Sequence, residues 1–305
     1  MKNIPSIVLY YCIILPVSKL PFGAIYRLSD FLYFVLFRLL GYRKGVIAGN
    51  VDRSFPEKSQ EEKDKIVALF YSHFCDIIVE SLKIFSIRKE DAEKRMVFRN
   101  PEVVNRFFAE GRSVILAGGH YNNWELFAVA VDQALLHQTV GLYKPLTNKY
   151  FDGIMRETRG KFGLNLLSTA MVKKEIERSK ELPTAFIFAT DQSPGNKHNA
   201  YWMQFLNQET GVLFGTEKYA TDYNYPVVYG CINKVSRGHY EVEFELIHDQ
   251  PAGLPYGYIT EAHTRLLERD IRRKPEFWLW SHRRWKHQRP ADVPLHSGDQ
   301  FAPLS

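Results

Sequence analysis

The segment Leu116-Ala-Gly-Gly-His-Tyr-Asn-Asn-Trp-Glu125 holds the side chains best suited to chemistry in this chain. A short apolar run ends in two glycines that let the backbone turn. His120 follows, and Glu125 stands five residues later, in the first turn of an expected helix. Ligands of α/β sheets bind outside the carboxyl ends of strands, where this histidine would sit. An imidazole there, with a carboxylate reaching its second ring nitrogen, makes a general base and its orienter. The carboxylate fixes the tautomer and stabilises the imidazolium as the base takes a proton. Taken alone, the same spacing equally describes a loop histidine followed by an acid that the helix dipole favours.

The elements around this segment alternate. Strand-like apolar runs cover 113–118, 139–143, 184–189 and 225–231, and helical patterns cover 123–136, 147–161, 169–180 and 211–222. Alternation of this kind predicts an α/β domain with a mainly parallel central sheet and helices on both faces. Residues 239–247 alternate like an edge strand, and 257–273 read as a terminal helix. Upstream, Ser59 and Glu62 form a capping box that opens a long helix over 59–85, and Asn100-Pro101 opens a short one that Gly111 ends.

Composition bounds the partners. Of 305 residues, 45% are hydrophobic and 24% charged, which excludes a disordered, collagen-like or solenoid chain. The mean hydropathy of -0.27 excludes a polytopic membrane protein. Three scattered cysteines offer neither a disulfide framework nor metal spacing, so a reducing compartment and no metal are expected. The net charge of +6 gathers at the two ends. Residues 1–50 carry six basic side chains against one acidic, and 265–289 carry nine against three. Such ends suit nucleic acid, an anionic membrane or a phosphorylated ligand, and the aromatic content tilts the reading toward lipid.

The first 14 uncharged residues, 4–17, are too few to span a bilayer, which takes about 20. The stretch 20–40 is longer but holds Arg27, Asp30 and Arg38. No small-residue cleavage site follows, which argues against a signal peptide. The expectation is a helical hairpin over 1–42 in the membrane interface, with a single span through 4–20 or a buried core helix as alternatives. Residues 43–290 then form one domain, and 291–305 a loose tail. Trp278, Trp280, Arg283, Arg284 and Trp285 form a basic-aromatic run that suits lipid headgroups, or else a core cluster with paired arginines.

Several blocks occur in an order that resembles the lysophospholipid acyltransferase-like superfamily, and within it the late acyltransferases of lipid A biosynthesis. They are Arg43-Lys-Gly-Val-Ile-Ala-Gly-Asn50, Ser54-Phe-Pro-Glu57, Glu80, the His120…Glu125 motif, Arg159 with Gly163, Asp191-Gln192, Phe205, residues 211–220, Tyr225-Pro-Val-Val228 and Trp278 through Lys286 before Arg289-Pro290. The segment after Gln192, Ser-Pro-Gly-Asn, departs from the pattern and bears on the acceptor more than on the reaction. The resemblance implies acyl transfer from an acyl carrier protein thioester to a hydroxyl of a membrane glycolipid, lipid A or its precursor, on the cytoplasmic face of the inner membrane. It implies His120 as base, oriented by Glu125, with no covalent acyl-enzyme, no cofactor and no nucleic-acid partner. Arg159 would serve the oxyanion or an acceptor phosphate, its plainer reading being a surface cation beside Arg156 and Glu157. Asp191, at a strand end, would bind a hydroxyl or anchor Arg159, its plainer reading being a turn residue. Asn123, Gln192, Gly215, Thr216, Lys218, Arg283 and Arg284 complete the expected substrate contacts. Acylation of another glycerolipid or aminolipid is a close rival, and a non-catalytic basic peripheral membrane protein is the reading from another class.

Overall fold

The computed structural model describes residues 4–178 and 182–296. Its helices are α1 (Ile4–Leu9), α2 (Leu15–Lys19), α3 (Phe22–Tyr33), α4 (Lys44–Ser54), α5 (Gln60–Lys83), α6 (Lys89–Arg95), α7 (Glu102–Ala109), α8 (Trp124–Ala130), α9 (Lys149–Gly160), α10 (Val172–Arg178), α11 (Gly215–Tyr223) and α12 (Tyr258–Arg273). The strands are β1 (Met96–Phe98), β2 (Val114–Gly118), β3 (Gln138–Tyr143), β4 (Asn165–Ser168), β5 (Thr184–Ala189), β6 (Tyr201–Phe205), β7 (Gln208–Val212), β8 (Val227–Ser236) and β9 (His239–His248).

Seven strands form one sheet in the order β1-β9-β8-β2-β5-β3-β4, and β6 and β7 form a separate antiparallel pair. Every neighbour in the large sheet is parallel except β8 with β9. The sheet is covered on both faces, and β2 shows how. Ile115 and Ala117 join a core with Val51, Phe70, Leu267 and Trp280, whereas Val114 and Leu116 join a second core with Ile84, Phe107 and Leu126. Side chains alternate across a strand, so an unbroken apolar run fills two cores at once.

Several expectations shift. The alternating stretch 239–247 is not an edge strand. β9 lies between β1 and β8, and its second neighbour is the three-residue β1 that the sequence pattern did not resolve. The helix expected over 211–222 starts at Gly215, because Gln208–Val212 pairs with β6. The helix expected over 123–136 ends at Ala130 and tightens into a 3-10 turn to Gln133. The helix expected over 169–180 is described as far as Arg178, and its last two positions lie outside the described residues. In the described part of the tail, His296 meets β6. His296 donates its N–H to the Trp202 carbonyl (2.8 Å) and stacks on Tyr201 at 4.1 Å, while 297–305 lie outside the described residues.

The long helix α5 begins as its sequence predicts. The Ser59 hydroxyl accepts from Glu62 N–H at 3.3 Å, and Glu62 accepts from Ser59 N–H at 2.8 Å. Ahead of it, Ile4–Lys19 and Phe22–Leu39 meet at 119°, with one π-helical segment in each. No single described helix is long and apolar enough to cross a membrane; this bent pair reaches that length and composition only together. The pair carries much of its apolar surface outward, although Ile25 is buried and Lys19, Arg27, Asp30 and Arg38 are exposed as in a soluble helix. Ser6, Ser18 and Ser29 are buried, while Ile4, Val8, Ile13, Phe31, Phe34 and Leu39 are exposed.

Candidate active site

Register explains how residues 71 apart meet. β2 and β5 are parallel neighbours with Gly118 opposite Ala189, so His120 and Asp191 each lie two positions beyond a paired residue. Thr190 continues the pairing by donating its N–H to the Gly118 carbonyl at 2.9 Å. His120 Nδ1 then lies 2.6 Å from Asp191 Oδ1, and the His120 backbone N–H donates to Asp191 Oδ2 at 2.8 Å. A carboxylate only accepts, so the neutral ring carries its proton on Nδ1 and its lone pair on Nε2. Gln192 Nε2 lies 3.3 Å from that Nε2 on the open side.

The glycines act differently from the sequence expectation. Neither Gly118 nor Gly119 has positive φ; the left-handed residue is Asn122, at 55°. Gly119 is needed for space. A Cβ there would lie 2.8 Å from Leu267 and 3.1 Å from the Asp191 carboxylate. The small residue lets Asp191 close on the loop.

The Asp191 carboxylate is buried, and Trp278 Nε1–H donates to its Oδ2 at 2.9 Å. Burial pushes the Asp191 carboxyl up, but the His120 charge and three donated hydrogen bonds outweigh it and hold the carboxyl well below its ordinary value. For His120, burial pulls the imidazole down while Asp191 pulls it up, and the net shift is upward. The result is a histidine that holds its proton more firmly than a free one and is therefore a stronger base once neutral.

Glu125 does not occupy the position expected of it. Arg159 grips it through two contacts, Nε to Oε2 at 2.8 Å and Nη2 to Oε1 at 2.5 Å. Asp191, not Glu125, is the carboxylate on His120, and Asp191 does not anchor Arg159. Glu125 and Arg159 still act on the ring through space, Glu125 raising and Arg159 lowering its affinity for a proton. Two charged pairs therefore flank one loop. A five-residue spacing from strand end to helix cannot show which carboxylate faces the ring, because Asn122 reverses the chain between them.

Asn123 is fully buried; its Oδ1 accepts the Leu126 N–H at 2.8 Å and its Nδ2 donates to Glu80 at 2.6 Å, so it shapes the loop. Thr216 is buried near the start of α11, and Lys218 on the same helix is turned to Asp222 at 2.7 Å instead of presenting a free ammonium. Gly215 opens that helix against Phe188. Arg283 is exposed. Arg284 is buried, and its Nη2 donates to the Gly211 carbonyl at 2.8 Å. Burial pulls the Arg284 guanidinium down to about 10. Trp278 and Trp280 are buried as well, so these two indoles and Arg284 are scaffold and not a headgroup-facing edge, whereas Arg283 and Lys286 stay exposed. Asn50 clamps it from α4 by donating to the carbonyls of Trp280 (3.0 Å) and His282 (3.1 Å), and Arg43 donates to Ser281 at 2.7 Å. The sequence reading missed Trp278 as a donor to Asp191. It also missed His282, whose Nε2 accepts the Ser193 N–H at 3.2 Å and steadies the turn after Gln192. Only the closeness of two tryptophans to a basic run hinted at either.

A profile of bacterial lipid A biosynthesis acyltransferases matches residues 3–287. The chain belongs to this family. The acyltransferase is 25% identical over 285 residues to the lipid A biosynthesis lauroyltransferase of Escherichia coli K12, covering 91% of this chain and 90% of that one. It is 23% identical over 260 residues to the lipid A biosynthesis palmitoleoyltransferase of the same organism, covering 83% and 82%. A lipid A biosynthesis acyltransferase of Shigella flexneri matches to the same extent. The expectation of an acyltransferase of lipid A biosynthesis is met.

Proposed function

We propose that this acyltransferase moves a fatty acyl chain from an acyl carrier protein thioester to a hydroxyl of lipid A or its precursor, with His120 as general base. The carrying observation is the His120–Asp191 contact at the ends of two adjacent parallel strands, with Nε2 left toward the open side. The acceptor hydroxyl takes the place facing Nε2 and gives up its proton as its oxygen attacks the thioester carbonyl. The tetrahedral oxyanion collapses, the C–S bond breaks, and the thiolate leaves and takes the proton back from the imidazolium. Asp191 holds the ring and its developing charge. No covalent acyl-enzyme is required, because the donor is already activated. Arg159, fixed by Glu125, supplies cationic charge for the oxyanion or an acceptor phosphate. Gln192 steers the hydroxyl.

The anionic groups of the acceptor suit the open surface depression of about 640 Å³ lined by Lys197, His198, Lys286 and His287, which follow Gln192 and the exposed Arg283 in sequence. The apolar outer face of residues 4–40 and its basic flanks suit attachment to the cytoplasmic face of the inner membrane. The test is to incubate purified full-length protein with acyl carrier protein thioester and a lipid A precursor and to follow the mass of the acceptor. A mass gain of one acyl group that falls by about 10²–10⁴ in rate with His120→Ala supports the assignment. Equal turnover of variant and parent removes His120 from the mechanism.

A further inference from the structure

One face of α5 meets the N-terminal helix pair through three polar side chains at helical spacing. Asp76 accepts from Ser29 at 2.8 Å, Glu80 Oε1 accepts from the Tyr26 hydroxyl at 2.9 Å, and Lys83 donates to the carbonyls of Ser18 and Leu20 at 2.8 Å each. The middle one differs from its neighbours. Its second oxygen, Oε2, accepts from Asn123 Nδ2 at 2.6 Å and from the Tyr240 hydroxyl at 2.8 Å. Asn123 in turn accepts the Leu126 N–H, and it lies between His120 and Glu125. Glu80 and Asn123 are both buried. One carboxylate therefore has one oxygen on the apolar helix pair and the other on the loop that carries the base.

We propose that Glu80 is a positioning residue that ties the geometry of the His120–Glu125 loop to the seating of the N-terminal helix pair on the body. The role deepens the acyl-transfer reading and rests on it for its effect on rate. Three donors converging on two oxygens fit the ionised, acceptor-only carboxyl. Burial pushes this carboxyl up and the Asp76 charge adds to the push, while the phenols of Tyr240 and Tyr26 oppose it without reversing it. Lifting α3 removes the Tyr26 donor and leaves a buried charge under-satisfied, which is costly. The carboxylate then recruits Tyr240 and Asn123 differently or takes up a proton, and either change disturbs the cap that sets the start of α8. The helix pair thus acts on the rate through the loop as well as through attachment. An apolar residue at position 80 would fill the space without sending two signals.

The test uses the full chain in vesicles of phosphatidylethanolamine and phosphatidylglycerol, with three variants. Tyr26→Phe removes the hairpin donor and keeps the ring. Glu80→Gln keeps the shape and removes the charge. Ser29→Ala loosens the same helix at Asp76 and leaves Glu80 alone. Hydrogen exchange is read over residues 119–127, alongside steady-state acyl transfer and the thermal midpoint. Tyr26→Phe should speed exchange of that loop by about fivefold or more. It should lower kcat about tenfold with the KM of the acceptor within about twofold. Glu80→Gln should do the same more strongly, and Ser29→Ala should do neither. Unchanged loop exchange in Tyr26→Phe overturns the proposal even if Glu80→Gln fails to fold. So does an equal effect of Ser29→Ala, which would mean general loosening. A parent without acyl transfer would defeat the functional reading but leave the exchange result to decide the coupling.

Discussion

The two ends of the chain are both basic and aromatic, yet the fold treats them in opposite ways. At the amino end, Phe31, Phe34 and Leu39 face outward while Ser18 and Ser29 turn in. At the carboxyl end, Trp278 and Trp280 are buried and Arg284 with them. The difference lies in hydrogen-bond partners. Trp278 Nε1–H has Asp191 and Trp280 Nε1–H has the Pro275 carbonyl, so both indoles are satisfied inside the protein, while Arg284 places Nη2 on the Gly211 carbonyl and leaves its buried Nε without a partner. The exposed phenylalanines and leucines of the amino end have no polar atom to satisfy and no protein surface over them. Similar composition thus makes an outward apolar face at one end and the scaffold of the site at the other.

The contrast can be broken by substitution. Trp280→Ala should have the largest effect on folding, about 3–5 kcal/mol as for other buried aromatic truncations, read by denaturant unfolding in detergent. Phe34→Ala should cost within about 0.5 kcal/mol in the same assay, since Phe34 is half exposed. Equal losses would erase the distinction.

Asp191→Asn sharpens the contrast on the chemical side. His120 has its proton affinity raised, so base activity in the parent should appear as pH rises through a value above that of an ordinary histidine. Removing the Asp191 charge lowers that affinity. The rising limb of kcat/KM should therefore move to lower pH while the plateau falls by about 10²–10⁴. Trp278→Phe keeps the ring packing and withdraws one donor from Asp191. Turnover should fall about tenfold, as fits one hydrogen bond to a charged group. Replacing Phe31 and Phe34 by serine should instead lower partition onto anionic vesicles by about tenfold or more while turnover in micelles stays nearer the parent. Arg283→Ala should show the smallest effect, about a two- to threefold rise in apparent KM for the anionic acceptor at low salt that fades as salt is added.

Much of this was legible in the residues. Apolar runs gave the central strands because each fills two cores, and the Ser59–Glu62 box marked the start of α5 to the residue. His120 and Asp191 stood out as charged or titratable groups closing strand runs. What the pattern did not carry was the identity of neighbours in space. Only the parallel register of β2 on β5 brings Asp191 to His120 and leaves Glu125 to Arg159. The strands β1 and β4, of three and four residues, were too short to stand out, and β9 looked like an edge because its apolar positions alternate although it is flanked on both sides.

The clamp on the carboxyl block bears on when the enzyme comes into being. Asn50 reaches Trp280 across 230 positions, Arg43 reaches Ser281 across 238, and Trp278 completes the shell of Asp191. Contacts so distant in sequence form late, since loop closure must precede them. During synthesis the amino-terminal helices and most of the sheet emerge long before the indole that Asp191 requires. The shell of Asp191 is therefore completed only after Trp278 has emerged, well behind the strands that carry His120 and Asp191.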